Sequence, residues 1–179
     1  TFDKKFEYLR YLESQKQFVS HLNKNLRGQL TIRLFNENNQ NNDEWSESSR
    51  WNDFDPNLKI DNGKEDIKKL IANNRLIVHS YDSTGMLETL SQNLPTLAFW
   101  QNGFDHLIDE AKPYYKLLFD VGIIQFSPKL TAEKINEVWD EIDDWWNQAN
   151  LQNARKLFCE RYAKNSRNPS YDLKQILLS

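Results

Sequence analysis

The chain has 179 residues, 39% hydrophobic and 27% charged, with a formal net charge of -3. That length suits one domain able to bury roughly 70% of the surface its unfolded chain exposes, so disorder is not expected. The single cysteine, Cys159, excludes an internal disulfide and a cysteine-based zinc cage and nearly excludes redox chemistry.

From Tyr8, the residues Tyr11, Leu12, Phe18, Val19, Leu22 and Leu26 share one face at helical spacing, and Gly28 is expected to end that single helix. Leu30 to Phe35 reads as a buried strand. The stretch from Asn36 to Asn57, rich in Asn, Asp, Ser and Glu with Trp45, Trp51 and Phe54 among them, reads as a long loop. Loops of that length in a compact domain are usually functional or disordered. Leu58 to Ile60 suggests a brief strand, Ile67, Leu70 and Ile71 a helix, and Leu76 to His79 a second strand. Ser83 is a suitable cap for a helix through Met86, Leu87 and Leu90, and Pro95 opens the strand Thr96 to Phe99. A helix around Leu107, Ile108, Ala111, Tyr115 and Leu118 follows, kinked or restarted at Pro113. Gly122 to Phe126 reads as a strand. Ile135, Val138, Trp139, Ile142 and Trp146 mark one more helix, and Leu151, Ala154, Phe158 and Tyr162 the last long one, with a short helix closing the chain. Strands alternating with helices in this way predict a Rossmann-like parallel sheet covered by helices on both faces.

The sharpest chemical feature is the run His79-Ser80-Tyr81-Asp82-Ser83-Thr84-Gly85, leading to Glu88. A strand that turns directly into a helix presents free backbone amides and the Ser83 and Thr84 hydroxyls at the positive end of the helix dipole, which is a seat for an anion. Glu88, one turn further in, can accept hydrogen bonds from a ribose diol. The alternative is ordinary capping by Ser83 with Glu88 a solvated helix residue. With only five glycines, a Walker loop or glycine-rich dinucleotide loop is ruled out.

The residues Ser80 to Thr84, Glu88-Thr89-Leu90, Asn93-Leu94-Pro95-Thr96 and Phe99-Trp100 resemble the C-terminal half of a family of bacterial transferases of surface-carbohydrate biosynthesis. So do Ile32-Arg33-Leu34, Arg50-Trp51, Asp61-Asn62-Gly63, Val121-Gly122-Ile123 and Trp145-Trp146. The likeness runs from about Lys5 to Ala163 with the motifs in order. It departs in the long loop, where Asn41-Asn42-Asp43-Glu44-Trp45 stands in place of a Gly-Trp-type stretch. Such proteins resemble glycosyltransferases of the two-domain GT-B type, whose C-terminal domain holds a nucleotide-activated sugar. The resemblance implies that the Ser83-Thr84-Gly85 turn takes the donor phosphate and that Glu88 stands where a ribose-binding carboxylate is often found. The acceptor, and often the catalytic base, belong to the N-terminal domain in such enzymes, so no base is assigned.

Further donor-binding candidates each carry a structural alternative. Arg33, in an apolar strand, either reaches the rim of the crevice and pairs bidentately with a phosphate or forms a local salt bridge. Arg50 and Trp51 either clamp a phosphate and stack on a base or sugar, or tuck against the sheet. His79 either binds phosphate or acts as an acid, or is a buried, hydrogen-bonded histidine. Tyr81 lies in the same turn. His21 and His106 are read as structural. Asp53-Phe54-Asp55 formally matches a metal-binding aspartate pair but lacks its strand context, and the acidic residues Asp140, Glu141, Asp143 and Asp144 read as a solvated helix face.

The expectation is therefore a single domain over residues 1–179, the donor-binding half of a metal-independent glycosyltransferase of surface polysaccharide or glycoconjugate synthesis. Its donor would be a nucleotide-activated sugar with no other cofactor, and its glycan acceptor would be held by an N-terminal domain outside this chain, which starts at Thr1. No apolar stretch approaches the roughly 18 residues of a membrane span and no leader opens the chain, which suggests a cytoplasmic location. Mild acidity makes nucleic acid a poor partner. The alternatives are a nucleotide-linked polyol-phosphate transferase domain and a non-catalytic interaction domain with an exposed Trp45 and Trp51 patch.

Overall fold

In the computed structural model, which describes residues 2–34, 47–164 and 168–178, every strand pair is parallel and short sheets are flanked by helices. The α/β character follows from the alternation of apolar strand segments with amphipathic helices. Among the described residues the strands form two sheets, however, where one was expected: a pair and a triplet. The chain divides into two compact units, residues 1–75 with 126–142 and residues 76–125 with 143–179.

In the first unit, α1 (Phe2–His21) is followed by α2 (Lys24–Arg27), β1 (Thr31–Arg33), α3 (Glu47–Phe54), β2 (Lys59–Asp61), α4 (Ile67–Ala72) and α7 (Pro128–Val138). The single helix expected up to Leu26 is broken. Asn136 on α7 explains the break, because its side-chain amide donates to the His21 carbonyl at 2.9 Å and its oxygen accepts from the Asn23 amide at 2.8 Å. Backbone groups freed at the interruption are thus satisfied from another element. Phe18, Val19 and Leu22 are buried, and α1 packs on α7. The expected loop from Asn36 to Asn57 contains α3 in its described part, with Trp51 buried at 1% exposure and edge-on to Phe54. Burial of that indole anchors a helix whose other residues, Phe54 apart, are polar. β1 and β2 align Thr31 with Lys59, Ile32 with Ile60 and Arg33 with Asp61.

The helix expected through Trp139 and Trp146 is in three pieces: α7, a 3-10 turn at Trp139–Glu141, and α8 (Ile142–Trp146). In the first unit the Arg75 guanidinium lies over the Trp139 ring at 5.5 Å, a cation-π contact that keeps that indole out of the buried stripe.

In the second unit the order is β3 (Ile77–His79), α5 (Thr84–Ser91), β4 (Thr96–Phe99), α6 (Lys112–Asp120), β5 (Ile124–Gln125), α9 (Ala149–Tyr162) and α10 (Pro169–Leu178). β4 is central and buried at every residue, as a parallel strand between neighbours requires. The helix expected from Leu107 begins only at Lys112, with Pro113 in its first turn, where the missing amide is harmless. Residues 101–111 are turns. Arg155 on α9 is buried and donates to the Leu90 carbonyl at 2.8 Å, placing a cation on the last turn of α5. The chain leaves that helix through Asn93, whose φ of 57° is left-handed and whose carbonyl and side-chain oxygen both accept from the Trp146 indole at 3.1 Å.

Candidate functional site

The carboxyl end of β3 and the start of α5 are built as the sequence suggests. Ser83 is extended (φ -137°, ψ 158°), and its hydroxyl accepts from the Met86 amide at 3.4 Å. Met86, Thr89 and Leu90 are buried, which fixes the inner face of α5, while Thr84 and Glu88, four residues apart, lie exposed on its outer face. The first amides of a helix have no partner one turn back, so those of Thr84 and Gly85 mark the positive end of α5. The Glu88 carboxylate has no ion pair or hydrogen bond among the described residues. Tyr81 stands exposed in the same turn.

His79 fills the space behind this turn. Its Nε2 lies 3.1 Å from Thr89 Oγ1, and that hydroxyl donates its own hydrogen to the Met86 carbonyl at 3.1 Å. The hydroxyl therefore accepts from His79, which fixes the Nε2–H tautomer. The other side of the ring faces Gly85: a Cβ there would stand 3.2 Å from His79 Cε1 and 3.6 Å from Nδ1, so glycine gives the imidazole its room. Burial pulls the His79 pKa down to about 4. The ring is neutral near pH 7, half-buried and hydrogen-bonded to Thr89.

Arg33 and Arg50 lie in the first unit. The Arg33 guanidinium pairs with Asp61 and donates to the Glu65 carbonyl at 2.9 Å, so it is held in a local salt bridge. Arg50 lies over the Tyr8 ring at 6.0 Å. Trp51 is buried and offers no stacking face, and Trp45 falls outside the described residues. Asp53 is exposed on α3, whereas Asp55 accepts from the Asn57 amide at 3.0 Å and side chain at 3.1 Å. Among the described residues no three His, Cys, Asp or Glu side chains cluster to hold a metal ion. No helix among them is long and apolar enough to cross a membrane.

At this end of the second sheet the structure joins two residues that the sequence does not pair, Asp82 of the same turn and His106, expected above to be structural. Asp82, next to Ser83, lies 3.2 Å from His106 Nε2 and accepts from the Tyr115 hydroxyl at 3.0 Å and 3.1 Å through its two oxygens. Burial, and then the Asp82 charge, push the Tyr115 phenol well above its ordinary value, so it remains a donor. Trp100 stands edge-on to the His106 ring at 5.8 Å.

This arrangement, a parallel α/β unit with an exposed helix start and a histidine-aspartate pair beyond its strand ends, suits a group-transfer enzyme. The chain belongs to the LIC12162 family of transferases, whose family model matches residues 2–177. No curated protein and no solved structure gives a significant match.

Proposed function

We propose that this chain is the donor-binding part of a glycosyltransferase that builds surface polysaccharide or glycoconjugate, and that it binds a nucleotide-activated sugar at the start of α5. The observation that carries the reading is the α5 start beyond β3, with Thr84 exposed, in a chain of a transferase family. The donor phosphate sits against the amides and hydroxyls of Ser83 and Thr84, with Gly85 allowing close approach and Glu88 taking the ribose. Tyr81 flanks the seat. Catalysis there consists of positioning the donor and neutralising the charge that grows on the departing phosphate. A partner domain outside these residues supplies the acceptor. Burial of Trp51 removes one half of the aromatic patch that an interaction-only domain would expose.

The test is a thermal-shift panel of CDP, CMP, UDP, GDP and ADP on the complete protein, where a ligand at 100 times its Kd adds about 2.7 kcal/mol. Thr84→Ala should weaken the bound nucleotide about tenfold by removing one hydrogen bond to a charged group, with the melting temperature unchanged. Ser83→Ala should weaken it likewise and also cost about 1 kcal/mol of stability, because the Met86 amide loses its cap. Unchanged affinity in the double variant would place the phosphate elsewhere.

A further inference from the structure

We infer that His106 is the proton acceptor of the transfer reaction and that Asp82 is its positioning residue; this rests on the donor-binding reading above. The chain has three histidines, and two are committed elsewhere. His21 Nδ1 lies 2.7 Å from the Gln17 carbonyl of its own helix, and His79 is neutral with its ring lodged against Gly85. His106 alone has a carboxylate partner, and its side chain keeps 41% of its exposure.

The geometry orients the ring. Both oxygens of Asp82 accept from Tyr115, which orients the carboxylate, and Oδ2 then takes the Nε2–H of His106. A neutral imidazole holding its hydrogen on Nε2 carries its lone pair on Nδ1, and that atom has no hydrogen-bond partner among the described residues. The loop that carries the ring is pinned by the Trp100 indole, which donates to the Gly103 carbonyl at 2.7 Å and meets His106 at 89°. Asp82 directly precedes Ser83, so the base is tied to the residue that caps the phosphate seat.

The step balances with two reactants, a nucleotide-activated donor and a hydroxyl acceptor. The acceptor O–H gives its proton to His106 Nδ1 as its oxygen forms a bond to the transferred group. The bond from that group to the donor's phosphate oxygen breaks, and the electron pair leaves with the nucleotide. Asp82 stabilises the imidazolium until the proton passes to solvent.

Two measurements on the complete protein test this. The first is the rate of carbethoxylation of each histidine by diethyl pyrocarbonate, read by peptide mass spectrometry. His106 should react faster than the exposed His21, and Asp82→Asn should slow His106 while leaving His21 unchanged; Tyr115→Phe, with a smaller slowing, serves if Asp82→Asn fails to fold. The second is release of free nucleotide from UDP-, GDP- and CDP-activated sugars with water as acceptor. His106→Gln should keep nucleotide affinity and lower release about 10²- to 10⁴-fold. Undiminished release, or His106 labelling no faster than His21, overturns the assignment. If no nucleotide binds the wild type, the donor-binding reading fails, and the labelling rates still decide whether Asp82 activates His106.

Discussion

Asp61→Ala should lower the folding free energy by about 3 kcal/mol, read as a lower urea midpoint at unchanged slope. Asp61 ends β2 at 8% exposure, with one oxygen on the Arg33 guanidinium and the other accepting from the Lys64 and Glu65 amides at 3.1 Å and 3.3 Å. Removing the carboxylate strands a cation and two amides at once, and breaking a buried pair costs about 3–5 kcal/mol. The Arg33 side chain keeps 28% exposure, so water recovers part of its solvation and the lower end applies. Arg33→Gln should cost less, because Asp61 keeps its two amides. It should also leave nucleotide affinity untouched, since that guanidinium is engaged by Asp61 and the Glu65 carbonyl. Weaker nucleotide binding at unchanged stability would return Arg33 to the donor site.

The elements legible in the sequence are those whose signals are local. α5 begins where Ser83 caps it, and β4 occupies Thr96–Phe99 as expected, because a polar boundary meets an apolar run at both places. The misread elements depend on distant partners. The break between α1 and α2 is stabilised by Asn136, 113 residues from Asn23, and no property of the helix's own apolar stripe announces it. α3 escaped notice because its residues are mostly polar and its anchor is the single buried Trp51. The parallel character of the strands follows from alternation, but their assortment into two sheets depends on which strand finds which neighbour. The site divides in the same way. The Ser83-Thr84-Gly85 turn is contiguous and could be read directly. Asp82 and His106 are 24 residues apart on two different turns, and nothing local in the sequence pairs them. A polar residue at the end of each of two strand-following turns was the available signal, since such turns converge beyond the strand ends of a parallel sheet.

Acid should destabilise the wild type more than His79→Gln, by about 2 kcal/mol between pH 7 and pH 5. In the unfolded chain the imidazole takes its proton near pH 6.5, whereas the folded protein resists protonation down to about 4 because burial disfavours the charged ring. The unfolded state therefore binds more protons across that interval, and stability falls as the pH drops through 6.5, with the loss complete near 4. Above pH 7 the ring is neutral in both states and contributes no slope. Glutamine retains a side-chain amide donor for Thr89 Oγ1 but does not titrate, so the variant should lack this component, while the carboxylates common to both proteins cancel in the comparison. Urea unfolding at several pH values supplies the two curves. Parallel curves would mean that the folded protein accepts the proton as readily as the unfolded chain. In that case His79 becomes a cation behind Gly85 near neutral pH and regains a direct electrostatic role toward an anion at the start of α5, whereas diverging curves leave that seat to backbone amides, hydroxyls and the helix dipole.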